Sequence, residues 1–346
     1  MNYQSIKTVR GAMMALALAL SLGFGTMAMA AEDFYEGKTI RVINTTSAGG
    51  TMDLYLLLLI KHMENHLPDS TNVVLEHRDG AGGLVGANYI FGAAPSDGTQ
   101  FGMTTPYIAF DKFAQPNAAR FEVDEFSVVG RMVDLPRVFV ARADSGIETM
   151  EDVTGSSITH AILAAGTYTD LVTTAVNETM NAELRSIPGY GGGGPMFVAM
   201  EQGEVQSTTA EPGNLIVNKW HLVEDGTINV LSQLGLERTV GLEDVPLTLD
   251  FVDADHELFP HLEFLSSAAA LGLPLLAPPG VPQDRLDYLR EVVRNTMNDP
   301  ALIAEAEERN LPINYGDADL VSRVLADAAN APEAVRQWVF EQAQAQ

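Results

Sequence analysis

Two glycine-bearing turns carry the residues of this chain best suited to ligand chemistry. Ser47-Ala48-Gly49-Gly50-Thr51 lies between a short apolar strand pattern and a long apolar helix pattern, and Ala164-Ala165-Gly166-Thr167 leads into another helix over a hundred residues later. Glycine lets a backbone approach a ligand closely, and the first N–H groups of a helix lack internal partners, so such turns favour an anion. Taken singly, each is equally an ordinary strand-to-helix turn with a threonine cap. The pair, one in each half of the chain, points to a ligand cleft.

Asp53 falls in the first turn of its helix. An acid there either compensates the helix dipole or holds a water, hydroxyl or amine of a ligand. Tyr190, followed by Gly191-Gly192-Gly193-Gly194-Pro195, could close over a cleft or stand in a plain strand–helix linker; the segment lacks the Lys-Ser/Thr end of a phosphate loop. Gly80 to Gly86 superficially resembles a dinucleotide turn, but Val85 stands where glycine is needed, so close helix packing accounts for it better. His62 and His66 share a helix face at zinc-ligand spacing without a third ligand, and read as surface histidines. No serine has a nucleophile-elbow context, and no acid pair can be argued into catalytic geometry. The expectation is a binding protein with no catalysis, no cofactor and no metal.

The elements that must position these turns alternate. Strand patterns at Lys38–Asn44, Asn72–Glu76 and Gln100–Thr104 are separated by glycine turns and helical stretches, which predicts an α/β layer with a mostly parallel sheet. The pattern breaks at Asp134-Leu135-Pro136 and restarts with a strand near Ser157, a helix over Thr169–Met180 and strands at Leu184–Ile187 and Ile228–Gln233. Leu271–Ala277, closed by Pro278-Pro279-Gly280, reads as a return crossing. This organisation predicts lobe 1 over residues 31–140 plus 271–346 and lobe 2 over 141–270, with crossings near Val138–Ala141 and Leu271–Ala277.

Residues 1–30 have the parts of a secretory signal: basic Lys7 and Arg10, an apolar stretch from Ala12 to Phe24, and Ala28-Met29-Ala30 as the cleavage pattern. Export through the general secretory route, cleavage after Ala30 and a periplasmic location are expected. Residues 31–346 exceed the ~250–300 residues at which one core usually stops growing, in keeping with two lobes. Of 20 basic residues, Lys7 and Arg10 fall in the signal, which leaves 18 against 46 acidic and a net charge of −28. That balance excludes nucleic acid as a partner. The chain has no cysteine, which excludes disulfides, thiol catalysis and a lipidated cleavage site.

Lys38-Thr39-Ile40-Arg41-Val42-Ile43, Ala48-Gly49-Gly50-Thr51-Met52-Asp53, Glu76-His77-Arg78-Asp79-Gly80-Ala81-Gly82-Gly83, Pro95-Ser96-Asp97-Gly98-Thr99, Pro188-Gly189-Tyr190, Gln202-Gly203-Glu204-Val205 and Ala277-Pro278-Pro279-Gly280-Val281-Pro282 follow one another in an order and spacing that together resemble the solute receptors of tripartite tricarboxylate transporters, the Bug receptors. The resemblance implies a periplasmic-binding-protein-like Venus flytrap, two α/β lobes closing on a small organic carboxylate. It implies ligand contacts from Ser47 to Asp53 and from Ala164 to Asp170, the latter including Ala165, Gly166, Thr167, Tyr168, Thr169 and Asp170. It further implies delivery, as a monomer, to large and small membrane subunits. Leu57 stands where the family often has Arg, Asp170 where His is usual, and Asp79 where Pro is common. If Asp170 faces the cleft, it should favour ligands that carry a hydroxyl or amine beside the carboxylate. A periplasmic enzyme acting on carboxylates and a co-sensor reporting to a signalling protein are the alternatives.

Overall fold

The structure, a computed structural model, describes residues 31–212, 215–239 and 241–344. The expected signal segment at 1–30 and its cleavage site lie outside these residues. Strands β1 (Thr39–Asn44), β2 (Asn72–His77), β3 (Gln100–Met103), β4 (Ser127–Arg131) and β10 (Pro274–Ala277) form one five-stranded sheet in the order β2-β1-β3-β10-β4. Strands β5 (Arg137–Arg142), β6 (Ser157–Ala161), β7 (Glu183–Ile187), β8 (Ser207–Ala210) and β9 (Ile228–Leu234) form the other, in the order β7-β6-β8-β5-β9. Two sheets, each with its own helices, give the two α/β lobes that the alternation predicts.

Each sheet has one reversed strand. β1, β2 and β3 are parallel, whereas β10 runs antiparallel to both β3 and β4. In the second sheet β6, β7 and β8 are parallel and β5 is antiparallel to β8 and β9. β5 and β10 are the two strands that the chain enters on crossing from one lobe to the other. They start at the end of the sheet where the parallel strands finish, so the loops that lead from the parallel strands into helices and both crossings gather at one cleft.

The crossings differ in position from the expectation. Val138–Ala141 is not a linker: the whole of β5 belongs to the second sheet, so a boundary at 140/141 would cut a strand. The chain changes sheets between Arg131 and Arg137, at the proline break that interrupts the apolar pattern. This segment packs backbone to backbone on the return crossing. Leu273 N donates to Val133 O (2.9 Å), Met132 N to Leu273 O (3.1 Å) and Leu135 N to Ala269 O (2.9 Å). Arg131 Nη1 adds a bond to the Ala270 carbonyl. Gly272 sits at φ +56°, and a Cβ there would stand 1.9 Å from Val133 O.

Side-chain alternation along the strands divides the core. In β1, Ile40 and Val42 pack to one side with α1 (Thr51–Met63) and α8 (Gln283–Met297), while Ile43 faces the other. In β5, Val138 and Val140 face α5 (Gly193–Glu201), while Phe139 and Ala141 join the side to which Ile43 belongs. That shared core is continuous between the lobes. It takes in α3 (Ile108–Ala114), α4 (Tyr168–Met180), α7 (Phe259–Leu271), α10 (Ala318–Ala329) and α11 (Glu333–Gln344). Tyr168 packs on Tyr107 at a ring separation of 4.6 Å and donates its hydroxyl to Leu265 O (2.6 Å).

Two predictions follow from this packing. Gly272→Ala should lower the thermal midpoint by at least about 5 °C, because the methyl group collides with main chain that cannot move without separating the crossings; an unchanged melting curve would refute that account. The second concerns His160, which is buried in β6 with Nδ1 2.9 Å from Ser207 Oγ, and whose pKa burial lowers to about 4. The unfolded chain therefore takes up a proton between about pH 6.5 and 4 that the folded chain refuses, and stability falls as pH drops through that window. Denaturant titrations of His160→Gln should show that slope reduced by up to ~1.4 kcal/mol per pH unit.

Candidate functional site

The first turn is organised around one buried carboxylate. Asp53 Oδ2 accepts from Gly49 N (2.9 Å), while Oδ1 accepts from Asn44 Nδ2 (3.2 Å) and stands 2.6 Å from His77 Nε2. Asn44 ends β1 and His77 ends β2, and the two are register partners in the sheet. Burial pushes the Asp53 carboxyl upward, but the Gly49 N–H bond, then His77 and Asn44, outweigh it and hold the group below the usual carboxylate range. The left-handed φ of Gly49 (+83°) turns its N–H onto this carboxylate. Thr46 is fastened through Asn44 Oδ1, and Ser47 Oγ donates to Asp79 Oδ2 (2.9 Å). The loop is thus folded on side chains from two strand ends, and the first N–H groups of α1 have no partner within the helix.

The second turn repeats the arrangement. Gly166, with φ +70°, donates its N–H to Asp170 Oδ2 (3.0 Å), and Ser186 Oγ near the end of β7 donates to Asp170 Oδ1 (2.9 Å). Leu163 N donates to Thr169 Oγ1 (3.2 Å), and Thr167 Oγ1 bonds Ala164 O (2.6 Å). In both lobes a glycine N–H meets the aspartate four residues on, and the strand after the helix supplies a second donor.

This geometry changes several expected roles. Asp53 and Asp170 both help to close their own loops, Asp170 by accepting from Gly166 and Ser186. Thr51 is the first helical residue and Gly50 the N-cap; Thr167 is an N-cap whose hydroxyl bonds backward rather than capping. Tyr168 spends its hydroxyl on Leu265 O, leaving its main-chain N–H at the helix start. Ser47, Ala48, Gly49, Gly50 and Thr51 are brought together in the first loop, and Ala165, Gly166, Thr167 and Thr169 in the second. Tyr190 is half-buried against the second lobe's core, in a segment tied to the second loop by Gly189 N to Leu163 O (3.1 Å). His62 is buried rather than on the surface and pairs with Glu305 (2.7 Å), while His66 pairs with Asp299 (3.2 Å). Among the described residues no cluster of three or more metal-ligating side chains forms. Gly86 accounts for the false dinucleotide pattern: a Cβ there would lie 2.7 Å from Thr45 and 2.8 Å from Arg78 O.

Sequence reasoning missed Arg137, at the cleft end of β5. Its Nη1 pairs with Glu211 (3.2 Å), and its Nη2 lies 3.5 Å from the hydroxyl of Tyr107 in the other lobe. Burial opposes its charge, but Tyr107 and Glu211 more than restore it. Glu211 follows β8, and its charge adds to burial in raising the pKa of Tyr55 on α1, across the cleft. The one signal for Arg137 was its place directly after Pro136, where a strand begins at a crossing.

Two α/β lobes, with helix N-termini and strand ends facing a shared cleft, define a two-lobed solute-binding protein. The family model described as "Tripartite tricarboxylate transporter family receptor" matches residues 59–338, and the chain belongs to that family, TctC. A TctC solute-binding protein from Polaromonas superposes with a TM-score of 0.71 at 17% identity, over 89% of this chain and 99% of that one. MatC from Rhodopseudomonas palustris, solved with bound malate, superposes with a TM-score of 0.57 at 16% identity over 89% and 99%. A UPF0065 protein of Agrobacterium vitis is 24% identical over 286 residues, 79% of this chain and 75% of that one. Members of the family are periplasmic binding proteins, and among the described residues no helix is long and apolar enough to cross a membrane.

Asp53 receives donors on both oxygens, two of them on Oδ1, and an asparagine must set its NH2 against one. Asp53→Asn is therefore expected to lower the thermal midpoint by several degrees, and an unchanged melting curve would show that the carboxylate does not brace the loop in this way.

Proposed function

We propose that this protein is an exported periplasmic receptor, cleaved after Ala30. It captures a small organic carboxylate between its lobes, without catalysis, and delivers it as a monomer to the large and small membrane subunits of a tripartite transporter. The observation that carries the reading is the pair of braced loops. Each aspartate takes up a glycine N–H, and in this reading the N–H groups at the starts of α1 and α4 serve the cleft. Two such groups on opposite lobes suit a carboxylate gripped from both sides, since each helix N-terminus contributes about 0.3–1 kcal/mol toward a negative charge. Family membership and the malate held by MatC support the same ligand class. The proposed contacts are the main chain of Ser47 to Thr51 and of Ala165 to Thr169, with Tyr190 at the rim.

Gly50→Val tests the first loop cleanly. Gly50 has φ −83° and ψ 175°, a conformation that valine favours, and a Cβ there meets only Ser47 O, at 3.7 Å. The variant should fold normally and bind the carboxylate at least about tenfold more weakly by calorimetry, through steric exclusion from the helix start. Undiminished affinity would remove the first loop from the site. Gly166→Val is a poorer probe, because its φ of +70° strains any side chain.

A further inference from the structure

The surroundings of Arg137 carry an inference that rests on the carboxylate-receptor reading and narrows it. The guanidinium is nearly enclosed, with 16% of the side chain exposed, whereas its partner Glu211 is 50% exposed. A Cβ on Gly193 would lie 3.6 Å from Arg137 Nη1, so the group packs against the first residue of α5. Arg137 also lines a narrow crevice with Tyr168, Thr169 and Thr209, at the start of α4. A full positive charge therefore stands beside the N-termini of two helices of nine and thirteen residues, whose partial charges have the same sign. Like charges gathered in a water-poor place are costly unless an anion joins them. The protein supplies one, and it supplies it from a half-exposed side chain on the loop after β8.

We propose that Arg137 is the charged anchor for one carboxylate of the ligand, and that Glu211 competes for it, holding the guanidinium until an incoming carboxylate takes its place. Arg137 is suited to this because its fork can bind a carboxylate through two parallel N–H bonds. Its position serves both lobes: it is fixed in β5 of the second, and reaches Tyr107 of the first. A carboxylate on Arg137 would touch the start of α4 and the edge of the first lobe together. Glu211 is suited to leave, since its exposure lets it return to water at little cost. The ligand class that fits is an acid with one carboxylate for the crossing end of the cleft and a second polar group for the loops, such as a short dicarboxylate.

The experiment is calorimetric titration of the purified mature chain with succinate, malate and adipate. Wild type is compared with Arg137→Gln, Arg137→Lys and Glu211→Gln, using whichever acid binds wild type. Arg137→Gln is expected to lose at least about tenfold in affinity, Arg137→Lys to fall between it and wild type, and Glu211→Gln to gain severalfold because the competitor no longer carries charge. Thermal melts establish that each variant is folded. Should Arg137→Gln fail to fold, Arg137→Lys and Glu211→Gln carry the test with the same expected directions. Wild-type affinity in the Arg137 variants, or weakened binding in Glu211→Gln, overturns the inference while leaving the receptor reading intact. Absence of binding by wild type to any of the three acids overturns the carboxylate reading itself, and the inference with it.

Discussion

The arrangement of this molecule depends on the contact between its two interlobe crossings. Gly272 lies so close to Val133 that no side chain fits between them, and hydrogen bonds from Leu273, Met132 and Leu135 join the segments. Because the chain passes twice through one narrow place, both strands that follow a crossing begin there and run against their neighbours. The parallel strands must then end at the same place, and with them the loops that open helices. The cleft is a consequence of where the chain crosses, before any side chain is chosen to line it. Arg137 owes its position to the same rule, as the first residue of the strand that leaves the crossing.

Within that frame, each lobe solves the same local problem. A loop that must present helix N–H groups outward has to satisfy its other polar groups inward, since buried unpaired donors are expensive. Asp53 and Asp170 do this from the first turn of their helices, where the dipole favours an acid. Each is steadied from the neighbouring strand, by His77 in one lobe and Ser186 in the other. A histidine and a serine are chemically different, and only their function as donors to the carboxylate is shared. The likeness between the lobes lies in geometry rather than in residue identity.

That difference explains what could be read from the sequence. The alternation of strands, glycine turns and helices is local, and it gave the lobes and most element positions. The glycine turns were visible for the same reason, because φ > 0 demands glycine over a few residues. The crossing was displaced by several residues because Val138–Ala141 is apolar on both faces, as a central strand must be, and a run of that kind does not reveal which sheet it joins. The positions of Asp53 and Asp170 in their helices' first turns were legible, but their bonds to Gly49 and Gly166 were not, because a loop-closing carboxylate has no sequence signature of its own. His62 was misplaced because its burial depends on α9 (Pro300–Glu308), which carries Glu305 from the far end of the chain. Arg137 and Glu211 lie 74 residues apart and meet only through the pairing of β5 with β8.

The chain is strongly acidic, with 46 acidic residues against 20 basic, yet its proposed ligand is an anion. Magnitudes settle this. Surface charges are screened over about 8 Å at physiological salt, so most of the acids do not reach the cleft. Inside it, two unit charges 4 Å apart interact by about 4 kcal/mol at an effective dielectric constant of 20. That is large, but in the proposed exchange it appears on both sides, as Glu211 leaves the guanidinium and a ligand carboxylate arrives. The Coulomb gain therefore largely cancels. What remains is the return of Glu211 to water and the bonds a ligand makes to the loop N–H groups that Glu211, tethered after β8, is not placed to make. Selection then depends on whether an acid can span from Arg137 to both braced loops, and the distance between its polar groups matters more than its net charge.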